Sequence, residues 1–199
     1  MMSRIAVLGN GRVGGGLATA FTHAGHDVTV ADRSPGAAAD AARKAQIVIN
    51  ATPGEGSLQR LVALREELKG KILVDVSNAT VDGPDGLPAG LLYPGSSLAE
   101  HLQHGLPDTH VVKTLNTMLY TVMTTPTALT QAPTAFLSGD NREAKNAVSG
   151  LLVDLGWPLE WITDLGGVET ARATEAAVLF VPHVIRSRGF APFAISIAR

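Results

Sequence analysis

The chain has 199 residues, 45% of them hydrophobic, with sixteen basic and eighteen acidic side chains that leave a formal charge of -2. That length suits one ordinary domain with a substantial core, and the near balance of charge offers no field for nucleic acid or an anionic membrane. The absence of cysteine removes disulfides, thiolate catalysis and Cys-ligated metals; no apolar run reads as a membrane span or a signal peptide, so a cytoplasmic protein is expected.

Taken in chain order, Ile5, Val7 and Leu8 read as a buried parallel strand. It empties into Gly9-Asn10-Gly11-Arg12-Val13-Gly14, a glycine-spaced turn. A helix follows, apolar at Val13, Leu17, Ala20, Phe21 and Ala24 and stopped at Gly25. This is the layout of a dinucleotide pyrophosphate site. Gly9 allows the tight turn, Gly11 removes a side chain that would block the phosphates, and Gly14 lets helix and strand pack closely. The phosphates then sit on free backbone N–H groups at the positive end of the helix dipole. A second strand, Val28 to Ala31, ends at Asp32, where the fingerprint expects a ribose-binding residue. Asp32 can accept the ribose 2'-OH of NAD, whereas Arg33 with Ser34 can grip the 2'-phosphate of NADP; the residues leave both open.

The alternation continues with a short helix from Pro35 to Lys44 and a strand from Ile47 to Asn50. A helix through Leu58, Leu61, Val62, Leu64, Arg65 and Leu68 follows, with Gly70 after its end, then a fourth strand from Ile72 to Val76. Such a pattern predicts a parallel sheet with helices on both faces. Residues 77–96, dense in glycine and proline, read as a long ordered loop or a mobile lid. Ser97 and Glu100 have capping-box spacing for a helix from Leu98 to His104. Val111 and Val112 belong to a fifth strand ending near Thr114, and Ala135 to Ser138 form a sixth. Asp140 with Glu143 predicts a second capping box for a helix reaching Leu155. Pro158 to Ile162 suggests a seventh strand or an extended edge, and Val168 to about Arg186 a long helix that Pro182 kinks or ends.

Open α/β sheets bind ligands at the carboxyl ends of their strands. Ala51, Thr52 and Pro53 after the third strand, and Ser77 and Asn78 after the fourth, are therefore expected at the nicotinamide half of the cleft. The fifth strand delivers Lys113, Thr114, Leu115, Asn116 and Thr117 to the same edge. Asn116 can orient a carboxamide or carbonyl, while Lys113 is expected in solvent rather than acting as a proton donor. No metal is expected, because no histidine pair has HExxH spacing and His101 with His104 lacks further ligands; a GxSxG nucleophile elbow is absent as well. Arg186 and Arg188 read as a solvated helix end, and Trp157 and Trp161 as packing residues.

The turn Gly9 to Gly14, Val-Val-Lys-Thr-Leu-Asn-Thr-Met at 111–118, Phe-Leu-Ser-Gly-Asp at 136–140 with Glu143-Ala144-Lys145, Leu155-Gly156-Trp157, and the acidic, apolar helix around Glu169 and Glu175 together resemble the NADP oxidoreductase family that depends on coenzyme F420, a deazaflavin. The resemblance implies a Rossmann-type doubly wound, mostly parallel α/β sheet over residues 1–165 and a small C-terminal helical extension over 166–199. It implies a homodimer in which nicotinamide and deazaflavin rings stack for direct hydride transfer. NADP is the implied cofactor, with NAD left open, and coenzyme F420 or a flavin the implied hydride partner. Leu115, Asn116, Thr117 and Met118 would line the partner's pocket, with Asn116 the catalytic residue at the ring. The family's NADP-selective members resemble Ser-Arg where this chain has Asp32-Arg33. A chain of this length has no room for the large helical substrate domain of hydroxy-acid dehydrogenases, whereas exchange between two planar cofactors needs mainly stacking and exclusion of water. Two other readings fit the same residues: an imine or carbonyl reductase related to pyrroline-5-carboxylate reductase, with Lys113 or Asn116 assisting protonation, and a dinucleotide-sensing regulator without catalysis.

Overall fold

The computed structural model describes residues 2–32, 34 and 36–198. Its strands are β1 (Arg4–Leu8), β2 (Asp27–Ala31), β3 (Ile47–Asn50), β4 (Ile72–Asp75), β5 (Thr80–Asp82), β6 (Pro88–Leu91), β7 (His110–Lys113), β8 (Ala135–Ser138) and β9 (Ile162–Gly166). Its helices are α1 (Arg12–His23), α2 (Ala37–Lys44), α3 (Ser57–Val62), α4 (Arg65–Leu68), α5 (Leu98–Gly105), α6 (Tyr120–Met123), α7 (Arg142–Asp154), α8 (Ala171–Ala176) and α9 (Val181–Arg188). A seven-stranded sheet has the order β2-β1-β3-β4-β7-β8-β9, and β5 pairs with β6 apart from it. From β2 to β7 the neighbours are parallel; β8 is antiparallel to β7, and β9 is parallel to β8. Strand order reverses between β1 and β3, which opens a crevice outside their carboxyl ends, the topological switch point of a Rossmann-type doubly wound sheet.

The central strands β1, β3, β4 and β7 are mostly apolar because both faces of the sheet are covered there. In β1, Ile5 and Val7 face a core shared with Leu17 and Phe21 of α1 and Val148, Leu151 and Leu152 of α7. Ala6 and Leu8 face the other core, built with Ala41 of α2, Leu61 of α3 and Leu98 and Leu102 of α5. Each fully buried aliphatic side chain of this size contributes about 1.5–3 kcal/mol. Trp157 is a packing residue, its indole N–H donating to the Met123 carbonyl at 3.0 Å.

Several local expectations are met and several are corrected. Ser97 caps α5 as its spacing predicts, the hydroxyl accepting the Glu100 N–H at 3.1 Å. The second predicted box does not form: Asn141 caps α7 by accepting the Ala144 N–H at 2.8 Å, while Asp140 turns away to accept the Val168 N–H at 2.8 Å. The single helix predicted across 58–68 is two, α3 and α4, because Leu64 leaves helical geometry (φ -100, ψ 19) between them. Residues 77–96, expected as a long ordered loop or a mobile lid, instead contain the antiparallel hairpin of β5 and β6. The extended edge predicted at Pro158 is a tight 3-10 turn over Leu159–Trp161, and β9 starts only at Ile162. The long helix after Val168 is instead a chain of short pieces, two of them 3-10. Pro182 occupies the first turn of α9, where its missing N–H costs nothing, so it starts a helix rather than ending one. Pro35, the predicted start of the second helix, lies outside the described residues.

Candidate active site

Strand register places Ala31, Leu8, Asn50, Asp75 and Lys113 in one row across the sheet. Asp32, Gly9, Ala51, Val76 and Thr114 are consequently the first residues past its carboxyl edge. Gly9 has φ +105, and a Cβ there would stand 2.6 Å from the Ala51 carbonyl oxygen, so only glycine lets β1 turn against the end of β3. A Cβ on Gly14 would overlap the Gly9 carbonyl oxygen. Gly11 differs: its Cβ would meet nothing within 4 Å. It is the N-cap of α1 and provides no side-chain cap, so side chains leave the first N–H groups of the helix free. Open space in front of uncapped N–H groups fits a diphosphate. Beside it, Asn10 is exposed and Val13 packs on the core. The Arg12 guanidinium lies 5.3 Å from the centroid of the Tyr120 ring, a cation–π contact that ties the turn to α6.

Behind this edge runs a buried polar network. Asn50 Nδ2 donates to Ser57 Oγ and to Asp75 Oδ1, both at 2.8 Å, and Asn50 Oδ1 accepts the Thr52 hydroxyl at 2.6 Å. Asp75 Oδ1 also accepts the Ser77 hydroxyl at 2.7 Å. Lys113 Nζ sits 2.8 Å from Asp75 Oδ2 and 3.0 Å from Glu175 Oε1, and donates to the Ser77 carbonyl. Glu175 in turn accepts the Leu98 and Ala99 N–H groups at the start of α5, at 2.9 and 3.2 Å. Lys113 is 1% exposed, Asp75 0% and Glu175 4%. Burial pulls the lysine pKa down, but the charges of Asp75 and Glu175 outweigh it, and the pKa is raised. The expectation of a solvated Lys113 is therefore corrected: carboxylates on two neighbouring elements hold it in the interior as a cation. Arg60 of α3 fixes the loop after β3, donating to the Pro53 and Glu55 carbonyls at 2.5 and 2.9 Å.

In front of the network, Asn78 and Asn116 bond each other reciprocally. Asn78 Nδ2 donates to the Asn116 carbonyl at 2.9 Å, and Asn116 Nδ2 donates to Asn78 Oδ1 at 3.0 Å. Leu115, just before, has φ +59, the one positive value at a non-glycine among the described residues. That conformation costs about 1–2 kcal/mol for an L-residue, and strain of this kind gathers at functional sites. Thr114 and Thr117 flank the turn with buried hydroxyls that have no partner among the described residues. Met118 bridges Ala194. Around that bridge the Ile195 N–H donates to the Thr117 carbonyl at 3.1 Å, the Leu119 N–H to Phe193 at 2.9 Å and the Thr134 N–H to Ile195 at 3.0 Å. Residues 193–197 thus insert as a short extended segment between 117–119 and Thr134.

Asp32 is exposed beyond β2; its Oδ1 accepts the Ser34 hydroxyl and, at 2.8 Å, the Ser34 N–H. Those two bonds, the hydroxyl's first, hold its carboxyl below the usual range. Arg33 lies outside the described residues. The structure therefore brings Gly9 to Gly14, Ala51 to Pro53, Ser77, Asn78 and Leu115 to Met118 to one edge, with Asp32 and Ser34 at its β2 end. An open groove of about 580 Å3 lies at the opposite edge, lined by His104, His110, Asp140 and Asn141 among others, and includes none of these residues. No cluster of metal-ligating side chains occurs among the described residues. Sequence reasoning passed over Asn50 and Asp75, although a polar residue closing an apolar strand was a readable signal. Tyr120 and the 193–197 segment carry no such local sign.

The model of the family described as NADP oxidoreductase, coenzyme F420-dependent, matches residues 4–79. The crystal structure of a protein provisionally described as an F420-dependent NADP reductase, from Arthrobacter sp. FB24, is 36% identical with a TM-score of 0.90, over 99% of this chain and 100% of that one. The F420-dependent NADP reductase of Methanocaldococcus jannaschii is 30% identical over 140 residues, 69% of this chain and 60% of that protein. Metalloreductase STEAP3 of Rattus norvegicus is 30% identical over 195 residues, 88% of this chain and 36% of that protein. The chain thus spans less than two thirds of the length of the curated relatives it matches. Full-length likeness to the Arthrobacter structure, together with the family match over the glycine turn, establishes that the chain belongs to the coenzyme F420-dependent NADP oxidoreductase family.

Proposed function

We propose that the protein transfers a hydride between a nicotinamide dinucleotide and a deazaflavin of the coenzyme F420 type. The observation that carries this reading is the placement of the open Gly11 turn and the Asn78–Asn116 pair along one carboxyl edge of the sheet. The names of the Arthrobacter and Methanocaldococcus relatives support it. Gly9 to Gly14 would hold the diphosphate on α1, with Ala51, Thr52, Pro53, Ser77 and Asn78 bordering the nicotinamide. When bound, the nicotinamide supplies or accepts the hydride. Orientation and exclusion of water are what the protein adds. Asn116 has a carboxamide oxygen without a partner among the described residues, suited to hold a ring amide N–H. Leu115, Thr117 and Met118 would line the pocket of the second ring, with the Thr117 hydroxyl as an available donor. NADP(H) follows from the family, and a cytoplasmic homodimer completes the reading.

The test mixes purified protein, NADPH and oxidised coenzyme F420 and follows loss of the deazaflavin's visible absorbance, with sedimentation reporting the oligomer. Rapid bleaching is expected. No bleaching, with a flavin reduced or a cyclic imine turned over instead, would replace the proposed hydride partner.

A further inference from the structure

β2 ends level with β1, Ala31 opposite Leu8, so Asp32 stands beside Gly9 at the start of the phosphate turn. A dinucleotide whose diphosphate rests on that turn lays its adenosine ribose at the end of β2. A carboxylate at this point accepts the ribose 2'-hydroxyl; a 2'-phosphate needs donors and positive charge there instead.

The local geometry favours the first arrangement. Ser34 offers two donors, the N–H and the hydroxyl, that would suit a phosphate. Both are directed at Asp32 Oδ1. Asp32 Oδ2 has no hydrogen-bond partner among the described residues and is left to accept. The Arg12 guanidinium of the glycine turn is engaged over the Tyr120 ring, and Arg33 lies outside the described residues. A 2'-phosphate, carrying about -1.5 to -2 charge at neutral pH, would meet an anionic carboxylate and would have to displace it to reach the Ser34 donors. The 2'-hydroxyl of NAD(H) needs no rearrangement, because it donates to the open oxygen.

We propose that Asp32, held in place by Ser34, discriminates against the 2'-phosphate and opens this protein to NAD(H). The inference rests on the reading that the glycine turn holds a dinucleotide, and the test separates the two. Wild type, Asp32→Ser and the more conservative Asp32→Asn are titrated with NADH and with NADPH, following nicotinamide fluorescence. In the wild type, NADPH is expected to bind less than tenfold more tightly than NADH, or more weakly. Asp32→Ser is expected to shift the affinity ratio at least tenfold toward NADPH, with Asp32→Asn moving it the same way. A wild type that favours NADPH by tenfold or more, or a smaller shift in Asp32→Ser, overturns the proposal. Failure of the wild type to bind either nucleotide would overturn the site assignment beneath it. Asp32 is exposed, so an unchanged thermal midpoint in both variants is the control for folding.

Discussion

Lys113 at the end of β7 and Glu175 on α8 meet at 3.0 Å in the interior, with Asp75 of β4 closing the cluster at 2.8 Å. This contact fastens a helix that follows β9 to the middle of the sheet, directly behind the Asn78–Asn116 pair. Lys113→Met would leave two carboxylates buried without their cation, and the expected loss is about 3–5 kcal/mol in urea unfolding. The folded pKa of Lys113 is raised, so its stabilisation is fully present below the unfolded lysine value of about 10.4 and disappears as pH rises through the folded value. Wild-type stability should carry an alkaline limb above about pH 10 that Lys113→Met lacks, and equal alkaline profiles would contradict the assignment.

Gly11 and Gly14 should respond to side chains in opposite ways. Gly11→Val puts a branched group into open space in an extended backbone conformation (φ -88), so it should fold with a loss of no more than about 1 kcal/mol from the poorer N-cap. Nucleotide binding should nevertheless vanish in a fluorescence titration. Gly14→Ala forces a Cβ onto the Gly9 carbonyl and should lower the unfolding midpoint itself. Retained NADH and NADPH affinity in Gly11→Val would remove the diphosphate from this turn.

Asn116→Ala removes one of the two bonds that join it to Asn78, along with the free carboxamide oxygen. Misplacing a bound ring costs rate more than affinity, so hydride transfer should slow about tenfold to a hundredfold while nucleotide binding weakens only a few-fold. Stopped-flow absorbance and a separate titration measure the two quantities. Equal losses in both would make Asn116 a binding residue only.

Ile195→Pro deletes the N–H that reaches the Thr117 carbonyl at 3.1 Å. The glycine turn lies on a different part of the edge, so nucleotide affinity should persist. The rate of hydride transfer should fall about as far as in Asn116→Ala, because the segment carrying Asn116 loses its support. An unchanged rate would show that the inserted segment does not shape the site.

Legibility of this molecule follows the range over which each feature is determined. The Gly9 to Gly14 turn, β1, β3 and the Ser97 cap could be read directly, since each depends on residues within a few positions of one another. Asn141 displaced Asp140 as the α7 cap by one position, a choice settled by the distant Val168 N–H that draws Asp140 away. The β5–β6 hairpin was hidden because proline and glycine within it look like loop residues, although Pro88 begins a strand that has no neighbour beyond β5. Lys113 was misjudged because its partners Asp75 and Glu175 are distant in sequence. Of the carboxyl edge, the glycines, Thr52, Ser77, Asn78 and Asn116 were visible, while Asn50 and Asp75, which tie Thr52 and Ser77 together behind it, were not.

The insertion of residues 193–197 beside Thr117 also bears on how the molecule matures. The β1–α1 nucleotide turn is built from neighbouring residues and can organise early in synthesis, whereas the Thr117 side awaits a strand supplied much later along the polypeptide. Closing so distant a contact is entropically slow. The two halves of the edge therefore differ in the chain distance that completes them, the Thr117 side closing only between residues 117 and 195.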